Sequence, residues 1–354
     1  MIKLLNVFVV YSLVVSSVFA NETTTFIELK KIEESLTNNV SESAQKLESL
    51  SKNKNEFNSE EIYFFNLLKA HILLLQNKPD QSLELLGHLD KLETSSAGRE
   101  GIKHLLTASI NHYKGHSVEA FVSLDKSLDL LDKIKKQEYK SRILINAVGL
   151  YKDADLIDFS LDYGRRALVL ANQLKDPSKI CDATYELASI ELLTKKYQMA
   201  ENRLLSAKSY CEKAQHKILL LGVSYSILEL RIETGKLDKA REIANELHPK
   251  MIDYGWDVLI SASHSMLARL ELSEANFKKA EEHAKKAYKI AKKTNDRKRM
   301  EVASRLLAQI YTELENDKEA IKFYKEYMEL NDANKTRIRQ RKMAFDMARR
   351  GKLE

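Results

Sequence analysis

Glycine and proline are scarce, ten and three among 354 residues. That scarcity argues against a turn-dense β fold and for long helices joined by short turns. Catalytic motifs are missing too: no glycine-rich phosphate loop follows a strand, no His-Glu-x-x-His occurs, and no Gly-x-Ser-x-Gly elbow presents a serine. Paired acids such as Glu281-Glu282 fall on outward helical positions, where hydration is expected. The chain therefore reads as non-catalytic and without a cofactor. Metal ligands are equally thin. His104, His112 and His116 form the densest histidine group, but Gly115 splits off the third, and no cysteine or carboxylate completes a site at useful spacing. No metal is expected. The net charge of +6 is concentrated at one end: residues 331–354 carry eight Lys or Arg against three acids, and Lys3 adds one more, which leaves residues 4–330 neutral. A neutral body with a basic tail is not a nucleic-acid footprint.

A long apolar run is also missing after the first twenty residues. Lys3, the apolar stretch Leu4–Val15 and the triplet Val18-Phe19-Ala20 read as a secretory leader cleaved after Ala20, too short to span a bilayer. No cysteine stands there to take a lipid. The mature chain is expected outside the cytoplasm, in the periplasm if the source is a bacterium, with membrane contact only through the leader or a downstream anchor.

What is present is a repeat. From Cys181 onward a small residue returns every 40 positions, at Ala200, Ala240, Ala280 and Ala320. Stepping back gives Ser160 and Ala120, and steps of 38 reach Ser82 and Ala44. Twelve positions earlier in most units stands a second small residue, at Ala70, Ala108, Ala188, Ala268 and Ala308, with Val148 and Leu228 as larger exceptions. Small side chains so placed let two helix axes cross at the short end of the ~8–10 Å packing range. Tyr185, Leu187, Tyr197 and Leu204 fill the seam of one unit, and Leu267, Phe277 and Tyr288 that of another. Eight helical hairpins are expected. Residues 21–98 read as an irregular cap, 99–330 as the regular array and 331–354 as a basic helix. The apolar face of that helix, including Ile338, Met343, Phe345 and Met347, should dock on the last hairpin. Residues 94–101 read as a flexible connection, either a hinge or an ordinary inter-repeat loop. Cys181 and Cys211 lie equally far from the turn expected near Lys195-Lys196, which leaves two readings: a disulfide stapling the hairpin, or two buried thiols.

With its paired small residues and aromatic seam, the pattern resembles the tetratricopeptide repeat family, in an extended form of about 40 rather than ~34 residues per unit. That resemblance implies an all-α, right-handed superhelical solenoid of about eight hairpins plus a C-terminal helix, whose first helices line a concave groove. Carried over position by position, it selects Tyr185, Tyr225, Glu229, Arg269, Arg305 and Gln309, with Ile145 and His112 further back, as groove residues. A protein or peptide partner follows from it. The family's Lys and Asn clamp for a terminal carboxylate has no match at these positions. Phe323-Tyr324-x-x-Tyr327, Asp332 and the run Arg339–Phe345 resemble the helix that leads the periplasmic sensory region of membrane-bound diguanylate cyclases (GGDEF proteins) or histidine kinases into the membrane. Two functions are thus expected: a non-catalytic extracytoplasmic scaffold, or the sensory half of such a signalling protein without an output domain in these 354 residues.

Overall fold

The computed structural model describes residues 23–36, 40–92, 94 and 96–351. The expected leader lies outside them. The chain forms two compact units, Met1–Thr94 and Ser95–Glu354.

Unit 1 holds α1 (Thr24–Ser35), α2 (Val40–Ser51), α3 (Ser59–Leu75) and α4 (Pro79–Leu89), with a short 3-10 turn at Lys54–Glu56. Asn58 and Glu61 close a capping box at the start of α3, satisfying two helix-end N–H groups. Pro79 opens α4, where its missing N–H costs nothing. Leu29, Ile32, Leu47, Phe64 and Phe65 form the core. The small residue at the first crossing is Ser43 and not the expected Ala44. Ser43 is fully buried against the Ser35 hydroxyl at 3.0 Å, while Ala44 is only partly buried. The 38-residue steps bring the count one residue out of register there.

Unit 2 begins with α5 (Ala97–Lys114), α6 (Ser117–Asp129), α7 (Gln137–Asp153) and α8 (Ile157–Leu174). It continues with α9 (Pro177–Leu193), α10 (Tyr197–Lys213), α11 (Lys217–Glu233) and α12 (Leu237–Tyr254). The last four are α13 (Asp257–Ser273), α14 (Phe277–Lys293), α15 (Arg297–Glu313) and α16 (Asp317–Arg350). A left-handed residue stops the chain every 20 positions, at Asp155, Lys175, Lys195, Gln215, Gly235, Gly255, Ala275, Asn295 and Glu315. At the hairpin turns the next N–H bonds the carbonyl five residues back, as Lys196 does to Glu191 and Asn276 to Glu271, each at 2.8 Å. Most helices have 17 residues and most links three, so one hairpin occupies the forty positions seen in the sequence.

Ala200, Ala240 and Ala280 are fully buried, as are Ala188, Ala268 and Ala308 twelve positions before a stride residue. Where the stride residue is serine, its hydroxyl reports the crossing directly. Ser160 Oγ donates to the Val148 carbonyl at 2.9 Å and Ser82 Oγ to that of Ala70 at 2.6 Å. The offset of twelve is thus the closest approach of the two helices. Neighbouring hairpins are tied at a spacing of thirty: Arg231 to Glu201 at 2.6 Å, Arg241 to Glu271 at 2.7 Å, and the Tyr311 hydroxyl to Glu281 at 2.9 Å. Glu281 is therefore partnered across a hairpin boundary, not simply hydrated.

Odd-numbered helices also pack on one another, from α5 on α7 through to α13 on α15, whereas α6 with α16 is the even pair in comparable contact among the described residues. Helices that touch along the stack form its inner, shorter face. The odd helices therefore line the concave side.

Two expectations change. Residues 97–101 are the first turn of α5, capped by the Ser96 hydroxyl, and not a flexible link. A Cβ on Gly98 would sit 2.4 Å from the Tyr139 ring, and one on Gly101 would sit 3.0 Å from Ile143, so the glycines admit α7 instead of loosening the chain. Helix α16 has no break at residue 331, and its far end docks on α6 rather than on the last hairpin.

Candidate functional site

The inner face is built from side chains on α7, α9, α11, α13 and α15. At stride positions 145, 185, 225, 265 and 305 stand Ile145, Tyr185, Tyr225, Ser265 and Arg305. Tyr185 lies over Gly222, where a Cβ would approach its hydroxyl to 3.2 Å, and the same hydroxyl is 3.4 Å from Ser226 Oγ. Glycine at 222 thus makes room for the phenol. The Tyr225 ring carries the Arg299 guanidinium at 5.9 Å from its centroid. Burial, with Glu229 nearby, holds the Tyr225 hydroxyl above its ordinary range, against the pull of Arg299. Arg269 is ion-paired to Glu233 and stands 3.9 Å from Glu229. Burial nevertheless keeps the Glu229 carboxyl above its usual pKa. At the α9 end, burial pushes Asp182 up to about 7, although Lys179 pulls it down. Lys152 closes this end, donating to Glu186 at 2.6 Å and to Ser189 Oγ at 2.8 Å.

Of the residues selected from sequence, Tyr185, Tyr225, Glu229 and Arg269 belong to this array. Ile145 is half-buried on α7. Arg305 and Gln309 are exposed further along α15, and Gln309 lines a separate turn-edge cleft of about 490 Å³ with Ser273, Phe277 and Tyr324. His112 is engaged with Asp153, donating from Nε2 at 3.0 Å. The α15 cation beside the tyrosines is Arg299, which repeat arithmetic missed because its side chain reaches past α13 from another position. Ser265 carried a usable signal, since it holds the tyrosine position of α13. Ser265 is buried, and its Oγ has no hydrogen-bond partner. Cys181 and Cys211 are joined, with Cα atoms 5.0 Å apart, and both are fully buried.

A second cluster was not anticipated. His248, His264 and His283, on α12, α13 and α14, lie together with ring centroids 4.9 to 6.2 Å apart, tilted or edge-on to one another. Their polar contacts are Ser263 Oγ on His248 at 2.6 Å and a 3.0 Å contact between the Nδ1 atoms of His264 and His283. Among the described residues no group of His, Cys, Asp or Glu stands ready to hold a metal. Burial, then the neighbouring rings and Lys286, pushes His264 down to about 4, and the other two are lowered as well. The unfolded chain takes up these protons near pH 6.5, and the folded cluster refuses them until lower pH. Stability present above pH 6.5 should therefore be lost as pH falls towards 4, on the order of 2 kcal/mol from His264. Denaturant midpoints measured from pH 7.5 to 4.5 should fall more steeply for the native chain than for His264→Leu. Parallel curves would rule out this cluster as a source of acid sensitivity.

A tetratricopeptide repeat family model matches residues 259–333. No curated protein sequence matches the chain. Among solved structures, a Rap protein complexed with competence and sporulation factor superposes with a TM-score of 0.67 at 13% identity, covering 88% of this chain and 99% of that one. Aspartyl phosphate phosphatase F from Bacillus subtilis gives 0.64 at 13% identity, covering 88% and 85%. NprR in complex with its cognate peptide NprX gives 0.60 at 16% identity, covering 85% and 87%. At these identities the likeness is one of fold: a tetratricopeptide-type stack of helical hairpins.

Proposed function

We propose that unit 2 holds an extended peptide, or an extended segment of a partner protein, against its inner face and performs no chemistry on it. The observation that carries this reading is the convergence of Tyr185, Tyr225, Arg269 and Arg299 from four helices, with Arg299 over the Tyr225 ring and its charge felt by both phenols. Phenols and guanidinium groups give a bound chain apolar area together with donors for its carbonyls and carboxylates. By their own descriptions, one structural neighbour is a Rap protein complexed with competence and sporulation factor and another is NprR in complex with its cognate peptide. Export is part of the proposal, supported by the leader-like residues 1–20 and by the buried Cys181–Cys211 bridge, a bond that persists in oxidising compartments. The sensory reading would use the same groove. It is the less favoured because Phe345, in the run said to lead towards a membrane, packs back on α6, α7 and α8.

A peptide selected on the whole chain from a random library should bind Tyr225→Ala and Arg269→Ala at least ~10-fold more weakly in fluorescence polarisation, the loss of a central anchor. Undiminished affinity in both variants would move the site away from this face.

A further inference from the structure

Helix α16 has 34 residues where α14 has 17, an excess of roughly 25 Å at 1.5 Å per residue. That excess crosses to the other end of unit 2. Phe345 is buried among Phe159, Phe121 and Tyr151, with ring centroids at 5.0, 5.4 and 5.8 Å, all edge-on. Ala344 and Ala348 are buried beside it, and the Arg349 guanidinium lies 5.7 Å from the Phe159 centroid. Arg341 donates from Nη1 to the Asp153 carbonyl at 3.3 Å, 188 residues away in sequence, and stands 3.9 Å from the Asp153 carboxylate that His112 also engages. Burial raises the Asp153 pKa, but the His112 hydrogen bond and the nearby cations outweigh it and hold it below its ordinary value.

The first and last hairpins of unit 2 are thus joined by one strut. Apart from this, each hairpin leans mainly on its neighbours, and a stack of that kind bends easily along its length. The strut reaches the inner face through α15. Arg297 and Glu301 share a cleft of about 240 Å³ with Gly115, Asn334 and Arg337, while the charge of Lys298 acts on both Asp153 and Glu229. Two features keep the docking light. Met343 and Met347 on the same stretch are exposed, so one narrow stripe is held, and Arg337 Nε and Arg341 Nε are buried without hydrogen-bond partners.

We propose that the far half of α16 is a clasp. Docked, it fixes the separation of the first and last hairpins and hence the width of the groove; released, it lets the groove open to admit or discharge its occupant. The purpose of the clasp rests on the groove reading, whereas its geometry does not. The test places spin labels on the full chain at Lys126→Cys in α6 and Lys289→Cys in α14, both exposed, since the native cysteines are bridged. Phe345→Asp should leave helix content intact, speed tryptic cleavage at Arg341 and Lys342, and shift and broaden the label distances towards longer values. Phe345→Leu, still apolar, should keep the native distribution. An unchanged distribution in a variant whose tail is cleaved faster would overturn the clasp, as would a tail that Phe345→Asp fails to release. If that variant does not fold, Phe345→Ala is judged by the same two readouts. Were the distances to respond while a selected peptide ignored both Tyr225→Ala and Arg269→Ala, the groove reading would fall and the clasp would stand.

Discussion

Replacing both Cys181 and Cys211 with alanine is expected to cost about 3–4 kcal/mol, the loop entropy that a cross-link over 30 residues removes from the unfolded chain. The bridge joins α9 to α10 inside a cluster with Ala188, Leu204, Ala207 and Val223, where both cysteines are inaccessible. Alanine keeps that cluster apolar, so the loss should come mainly from the missing link and a small void. Because a hairpin stack unfolds in neighbouring segments, the effect should concentrate in α9 to α11. Amide exchange there should accelerate, and the denaturant midpoint should drop for the variant and equally for native protein unfolded with reductant. Two free thiols titrated from unfolded, unreduced protein would remove the bridge and weaken the case for export.

Ala280→Leu should be nearly as damaging. Ala280 is fully buried in one cluster with Ala268, Ala284 and Leu307. Additional carbons at a helix crossing must displace backbone, not just a neighbouring rotamer, at a cost of about 1–3 kcal/mol or more. Lys278→Leu, two residues away and exposed, adds apolar volume without entering the crossing and should leave the midpoint almost unchanged. Equal tolerance of both substitutions in urea unfolding would mean that the forty-residue stride marks something other than helix contact.

The same contrast separates what was legible in the sequence from what was not. Ala200, Ala240 and Ala280 could be read because the stride side of each crossing holds a small residue and recurs at the period of the hairpin. Ser265 was readable in principle, as the serine standing in a tyrosine position. Arg299 was not, because a long side chain reaches a site from positions outside any period. Nor were His248, His264 and His283, whose separations in sequence bear no relation to the stride.

By itself the sequence determined the local and nearest-neighbour features: helix lengths, turns, and the pairing of each helix with the next. These depend on residue size and backbone preference within some forty positions. Only the tertiary structure decided where Arg299 and the tail come to rest. The bend of a stack accumulates small rotations over many hairpins, and no single stretch encodes the sum that brings Phe345 to Phe121 and Arg341 to Asp153.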